Sequence, residues 1–152
     1  MSIIIRKYQD LLLNTTHTNK ENNKLIDDIV GKPFSLIQSI KMRGVGSKRM
    51  IVDEVSPNMA SILNTVSDTN YGNIELRPIG ILIHITKGLQ NFTWAIPYYQ
   101  LVVYKINGSS IHSNGKFIHF RNNKTFKENK KFFDKLMNEK IKYDQQFNFS
   151  PQ

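Results

Sequence analysis

Two Asn-Gly dipeptides stand seven residues apart, Asn107-Gly108 and Asn114-Gly115, each between runs of β-forming residues. Asn-Gly accepts positive φ at both central positions of a tight turn, so it is the strongest local signal for a two-residue β-hairpin. The pair predicts a three-stranded antiparallel meander over residues 100–106, 109–113 and 116–121. Two-residue turns also dictate register. Across the second turn Ser113 faces Lys116, His112 faces Phe117 and Ile111 faces Ile118; across the first, Ile106 faces Ser109, Tyr104 faces Ile111 and Val103 faces His112. One face then collects Val102, Tyr104, Ile106, Ile111, Ile118 and Phe120 as a core face, and the other holds Val103, Lys105, Ser110, His112, Phe117 and His119.

A long helix should follow. Thr125 and Glu128 have the spacing of a capping box. From there to about Tyr143, Phe126, Phe132, Phe133, Leu136, Met137, Ile141 and Tyr143 fall on one half of a helical wheel. Lys127, Lys131, Lys135 and Lys142 gather opposite. Upstream, Ile81, Ile83 and Ile85 alternate with Leu82, His84 and Thr86, and Phe92, Trp94 and Ile96 alternate with Thr93 and Ala95. These are two strands joined through 87–91, and Pro97 should break the second.

The first half is less regular. Residues 6–13 suit a short helix, 15–23 a polar loop, and 25–30 an apolar segment ended by Gly31-Lys32-Pro33. Residues 34–40 fit strand or helix equally. Residues 41–49 read as a basic loop and 50–55 as a strand. Ser56-Pro57 is a helix start, carrying Met59, Ile62, Leu63 and Val66. Residues 67–73 read as a polar loop and the best internal boundary of one domain spanning 1–152. The fold class is α+β: an antiparallel, barrel-like sheet capped by a C-terminal amphipathic helix, with further helical segments at the N-terminus.

Composition narrows the chemistry. The chain has no cysteine, which removes disulfides, thiolate metal sites and a cysteine nucleophile. No apolar run has the length of a membrane span, and Ile3-Ile4-Ile5 before Arg6-Lys7 is too short for a signal peptide, so a cytoplasmic protein is expected. Net charge is +9, spread along the chain. Such an excess favours anionic partners, although Lys, Asn and Ile are all abundant, as in the products of AT-rich genomes.

The segment from Ile74 to Tyr143 resembles the bacterial members of the pleckstrin-homology-like fold. The resemblance is carried by Gly80-Ile81-Leu82 at a strand start, by Trp94-Ala95-Ile96-Pro97-Tyr98-Tyr99-Gln100-Leu101, and by Phe132-Phe133 with Leu136 in the final helix. It implies a partly open barrel of seven curved strands plugged by that helix. Five or six strands are visible in this half, with 34–40 and 50–55 available for the rest. It also implies a binding or scaffold module. Lipid-binding members use a basic strand-loop-strand, whereas the 87–91 loop here holds one lysine, Lys87.

The residues themselves offer few sites. Residues 41–49 place Lys41, Arg43, Lys48 and Arg49 around Gly44 and Gly46 without an acid, which suits a phosphate-contacting loop or a solvated hairpin loop. The spacing is not that of a P-loop. With Lys127, Lys131 and Lys135 these residues are the candidate anion- or nucleic-acid-binding set. His112 and His119 lie diagonally on one face of the meander, with His84 a conceivable third, but Glu75 is the single acid from 74 to 121, so no metal site is expected. Phe117 among Lys116, His119 and Lys105 could stack bases of a single strand. Asp27-Asp28 and Asp53-Glu54 form no catalytic dyad. The expectation is a non-enzymatic binding or scaffolding module without a cofactor. Its partner would be a protein, with nucleic acid as the alternative and an anionic membrane surface as a third reading.

Overall fold

The computed structural model describes residues 9–17, 19–62 and 70–147. Among them one antiparallel sheet of eight strands runs in the order β1-β5-β4-β3-β2-β8-β7-β6. The strands are β1 (Leu11–Asn14), β2 (Met50–Val55), β3 (Asn70–Arg77), β4 (Gly80–Lys87), β5 (Gln90–Pro97), β6 (Val102–Tyr104), β7 (Gly108–Ser113) and β8 (Lys116–Arg121). The sheet is open, with β1 and β6 as its edges. Helices are α1 (Lys20–Val30), α2 (Leu36–Lys41), α3 (Lys124–Lys127) and α4 (Lys130–Phe147), with short 3₁₀ segments at Pro57–Ile62 and Tyr98–Gln100. None is long and apolar enough to cross a membrane.

The inner face of the sheet carries the main core. Ile81, Ile83 and Ile85 of β4 meet Trp94 and Ile96 of β5, Ile74 and Leu76 of β3, and Ile111, Ile118 and Phe120 of the meander. Phe132, Phe133 and Leu136 of α4 close this core. A smaller cluster lies on the opposite face, where Leu82 and Ala95 pack under Ile26, Ile29 and Val30 of α1. The β4 strand therefore buries apolar residues on both faces, Leu82 under α1 and Ile81, Ile83 and Ile85 in the main core.

Several expectations need correcting. The 6–13 segment is no helix where it is described: Leu11–Asn14 pairs with β5. Its three leucines can serve two layers only if extended, with Leu12 toward the main core and Leu11 and Leu13 toward α1. The 15–23 loop ends early, because Asn19 caps α1 by accepting from the Glu21 and Asn22 N–H groups. Of residues 34–40, the part from Leu36 on is helix, running to Lys41, and Ser35 and Gln38 form a reciprocal capping box at its start. Residues 70–73 belong to β3 instead of a loop. The helix expected after Ser56-Pro57 is a 3₁₀ segment reaching Ile62, and Leu63 and Val66 lie outside the described residues.

The second Asn-Gly turn forms as expected, with Asn114 at φ 51°, Gly115 at φ 78° and Ser113 opposite Lys116. The first does not. Tyr104 pairs with Ser110, Val103 with Ile111 and Val102 with His112. The turn spends one residue more than a two-residue hairpin; Asn107 and Gly108 both keep positive φ, 48° and 107°, while Gly108 also pairs on its other side with Arg121 of β8. A one-residue slip exchanges the faces of a strand. Val103 therefore packs on the core, while Val102, Tyr104 and Ile106 are exposed.

The capping box at Thr125–Glu128 is also displaced. Asn123 caps α3 by accepting from the Phe126 N–H, and Glu128 instead ion-pairs with Lys48. The helical path breaks at 128–129 before α4 begins, and α4 continues past Tyr143 to Phe147.

Candidate functional site

The 41–49 segment is neither a floppy hairpin tip nor a P-loop; it lies along β3 as a pinned irregular strand. The Leu76 N–H donates to the Val45 carbonyl at 2.7 Å and the Ser47 N–H to the Ile74 carbonyl at 2.8 Å, and Gly46 bridges Glu75. The Ser47 hydroxyl accepts from the Ile74 N–H at 2.8 Å. Met42 and Val45 pack on the main core. On the other flank, buried Asn129 clamps Lys48: its Oδ1 accepts from the Lys48 N–H at 2.9 Å and its Nδ2 donates to the Lys48 carbonyl at 3.2 Å. Lys135 reaches from α4 and donates to the carbonyls of Gly44 at 2.7 Å and Arg43 at 3.2 Å. Arg43 at φ 60° and Gly44 at φ 93° make the bend that turns these carbonyls toward α4.

The structure thus brings Lys135 to the backbone of Arg43 and Gly44, and Lys131 lies one turn before Lys135 on the same helix. Lys41 and Arg43 are exposed, as is the Lys48 side chain despite its 3.6 Å contact with Glu128. Two members of the candidate set depart. Arg49 lies over the Tyr71 ring, 4.2 Å from its centroid. Lys127 borders a separate hollow of about 360 Å³ with Lys105, Lys130 and Asp134.

The feature that sequence reasoning missed sits beside the loop. In α2, Leu36, Ile37 and Ile40 are 76%, 66% and 67% exposed. No residue of this helix is buried. A run of Leu, Ile and Ile in a helix ordinarily marks a core face, and here it faces outward. The signal lay in its length: one and a half turns closed by Lys41 cannot bury a stripe against the sheet.

A second polar cluster lines a cleft of about 650 Å³ between α1 and the outer sheet face. Buried Arg77 donates to Glu75 at 2.6 Å, Asp27 at 3.1 Å and the Gly31 carbonyl at 2.8 Å. Glu75 also meets His84 Nε2 at 3.0 Å. Burial alone would raise the Glu75 carboxyl, but hydrogen bonds from His84 and Arg77, with the Arg77 charge, outweigh it and hold the group below its ordinary value. His84 Nδ1 lies 3.4 Å from Thr93 Oγ1, which is 2.8 Å from Thr15 Oγ1. These bonds fasten α1 and the end of β1 to the sheet.

His84 is thereby separated from the other histidines. His119 bonds Ser110 Oγ at 2.7 Å and the Asn107 carbonyl at 2.9 Å, while His112 stacks on Phe117 with Tyr104 edge-on. Burial, and then His119 nearby, lower the His112 imidazole below its ordinary value. Phe117 ends this row with one face on His112, and Lys116 turns away to Asp10, whose side chain is wholly buried, at 3.0 Å. Asp53 pairs with Arg121.

No family model, curated protein or solved structure matches this chain.

Proposed function

We propose that this protein is a non-enzymatic binding module that docks an anionic macromolecular surface through α2 and the 41–49 loop. The observation that carries the reading is the coincidence of three exposed aliphatic side chains with a cationic loop whose backbone is tied down on both flanks. Leu36, Ile37 and Ile40 together keep most of their surface in water. Full burial of such a side chain is worth roughly 1.5–3 kcal/mol, so a partner covering the exposed two-thirds gains about 1–2 kcal/mol from each. The neighbouring cations give long-range attraction that the apolar tips lack. The pleckstrin-homology-like reading remains part of the proposal. It rests on the run of seven strands from Met50 to Arg121 followed by the C-terminal helix, a count that agrees with what the resemblance implies. Nucleic acid is the second reading, favoured by the exposed side chains of Lys41, Arg43 and Lys48 on a backbone that is held in place.

Retention on immobilised heparin tests the face. Reversing Lys41, Arg43 and Lys48 to Glu should lower the eluting salt well below that of a control in which Lys20, Lys24 and Lys142 are reversed. Equal losses for the two triples would mean that net charge alone is read, and the docking face would be abandoned.

A further inference from the structure

We infer that the occupant of this face is an anionic lipid bilayer, with Leu36, Ile37 and Ile40 seated below the headgroups and Lys41, Arg43 and Lys48 against lipid phosphates and carboxylates. The inference rests on the docking reading above and names its partner. Shape is the first argument. The three aliphatic tips stand on a helix of six residues with no buried member, so they project from the surface. A protein partner would have to supply a matching hollow, whereas a bilayer is fluid and needs none. Composition is the second. Protein interface cores are anchored by Trp, Tyr and Arg in pockets, with Leu under-represented. The tips here are all aliphatic, and the residues flanking them contain no exposed aromatic anchor.

Charge is the third argument. Between Asp28 and Asp53 the chain holds Lys32, Lys41, Arg43, Lys48 and Arg49 and no acid. Apolar tips bordered by cations without intervening acids form the chemical pattern of an interfacial anchor. Basic residues near an anionic leaflet each add attraction that fades within a Debye length. Three aliphatic side chains alone hold a membrane weakly, as one acyl chain does, and the cations make the second signal that stable binding requires.

The test uses the full chain and sedimented vesicles of phosphatidylcholine, alone or mixed with phosphatidylserine, at about 50 and 200 mM salt. The absence of cysteine allows a second readout: Ile40→Cys carries a single environment-sensitive fluorophore at the helix tip. The proposal expects binding to the mixed vesicles, weakened by salt, with the fluorophore moving to an apolar environment. Ile37→Asp/Ile40→Asp should lose about tenfold or more in partitioning, and Lys41→Glu/Arg43→Glu a comparable amount, with thermal midpoints unchanged because these side chains are exposed. Two results would overturn the bilayer as occupant while leaving the docking face standing. One is vesicle binding that the Asp pair leaves intact and that keeps position 40 in water, with the charge reversal alone weakening it. The other is saturable binding to an RNA, a DNA or an acidic peptide, abolished by the same variants, without any vesicle binding. If neither variant changes binding to any of these probes, the docking reading falls as well.

Discussion

Replacing Gly108 by alanine should destabilise the protein by about 2–3 kcal/mol more than the same change at Gly115, although both glycines follow asparagine at a hairpin turn. At Gly115 φ is 78° and a new Cβ meets nothing within 4 Å. The change therefore costs the conformational penalty of a left-handed L-residue, about 1–2 kcal/mol, less a few tenths regained from a stiffer unfolded chain. At Gly108 φ is 107°, outside the left-handed well, and the new Cβ would overlap the Phe120 carbonyl oxygen and lie 3.1 Å from the Asn122 amide nitrogen. Both obstacles are backbone. They cannot give way without opening the β7–β8 ladder where Gly108 sits opposite Arg121, so the loss should reach about 3–5 kcal/mol. For a chain of this length each kcal/mol corresponds to roughly 2–4 °C, giving a separation of about 5–10 °C in thermal midpoint. Urea titration followed by the fluorescence of Trp94, which is fully buried, measures both. Equal losses within about 0.5 kcal/mol would refute the register assigned to the first turn.

Four further outcomes are expected. Lys116→Met removes the cation at 3.0 Å from Asp10, whose side chain is wholly buried and also accepts from Trp94 Nε1 at 2.8 Å. Stability should fall by about 2–4 kcal/mol in urea titration, and the added change Asp10→Asn should restore part of it. Glu75 titrates lower in the folded than in the unfolded chain, so its contribution is fully present above its ordinary value of 4.5 and is lost as pH falls through the lower folded value. Urea midpoints measured on descending from pH 6 should therefore drop on the acid side of 4.5, and Glu75→Gln should flatten that limb; an unchanged slope would contradict the sign. Leu136→Ala, at a fully buried position, should cost about 2–5 kcal/mol, whereas Ile141→Ala, half exposed on the same helix, should cost under about 1 kcal/mol. Asn129→Ala should loosen the 41–49 segment, seen as faster amide exchange at Lys48, with the protection of β4 retained.

Legibility in the sequence followed how local the determining physics is. The Asn114-Gly115 turn, the β4 and β5 strands and the apolar face of α4 are set by residues within one turn or one strand, and they form where expected. The first hairpin was misread because Asn-Gly is compatible with a two-residue turn and with a longer one, and the choice places Val103 on the distant core and leaves Val102 and Tyr104 exposed. Asn123 took the cap from Thr125, and Glu128 faces Lys48 across the fold, a contact between residues eighty positions apart. In the candidate site, the basic character of 41–49 was plain, and so were the lysines of α4. That Lys135 reaches the loop, while Lys127 and Arg49 point elsewhere, depends on long-range packing. The exposure of Leu36, Ile37 and Ile40 was hidden for a different reason. Periodicity reports that residues share a face, and it carries no information on whether anything lies opposite.

The fastening of residues 43–48 has a kinetic consequence. A polybasic tail must surrender its freedom when it meets a partner, and that ordering opposes binding. Here Gly44, Val45, Ser47 and Lys48 already hold fixed hydrogen bonds to α4, β3 and Asn129. The segment arrives pre-shaped and can meet a surface as a rigid body, with no folding step between collision and capture. Association should then be fast and set by ionic strength, while residence time is set by the depth to which the α2 side chains are covered.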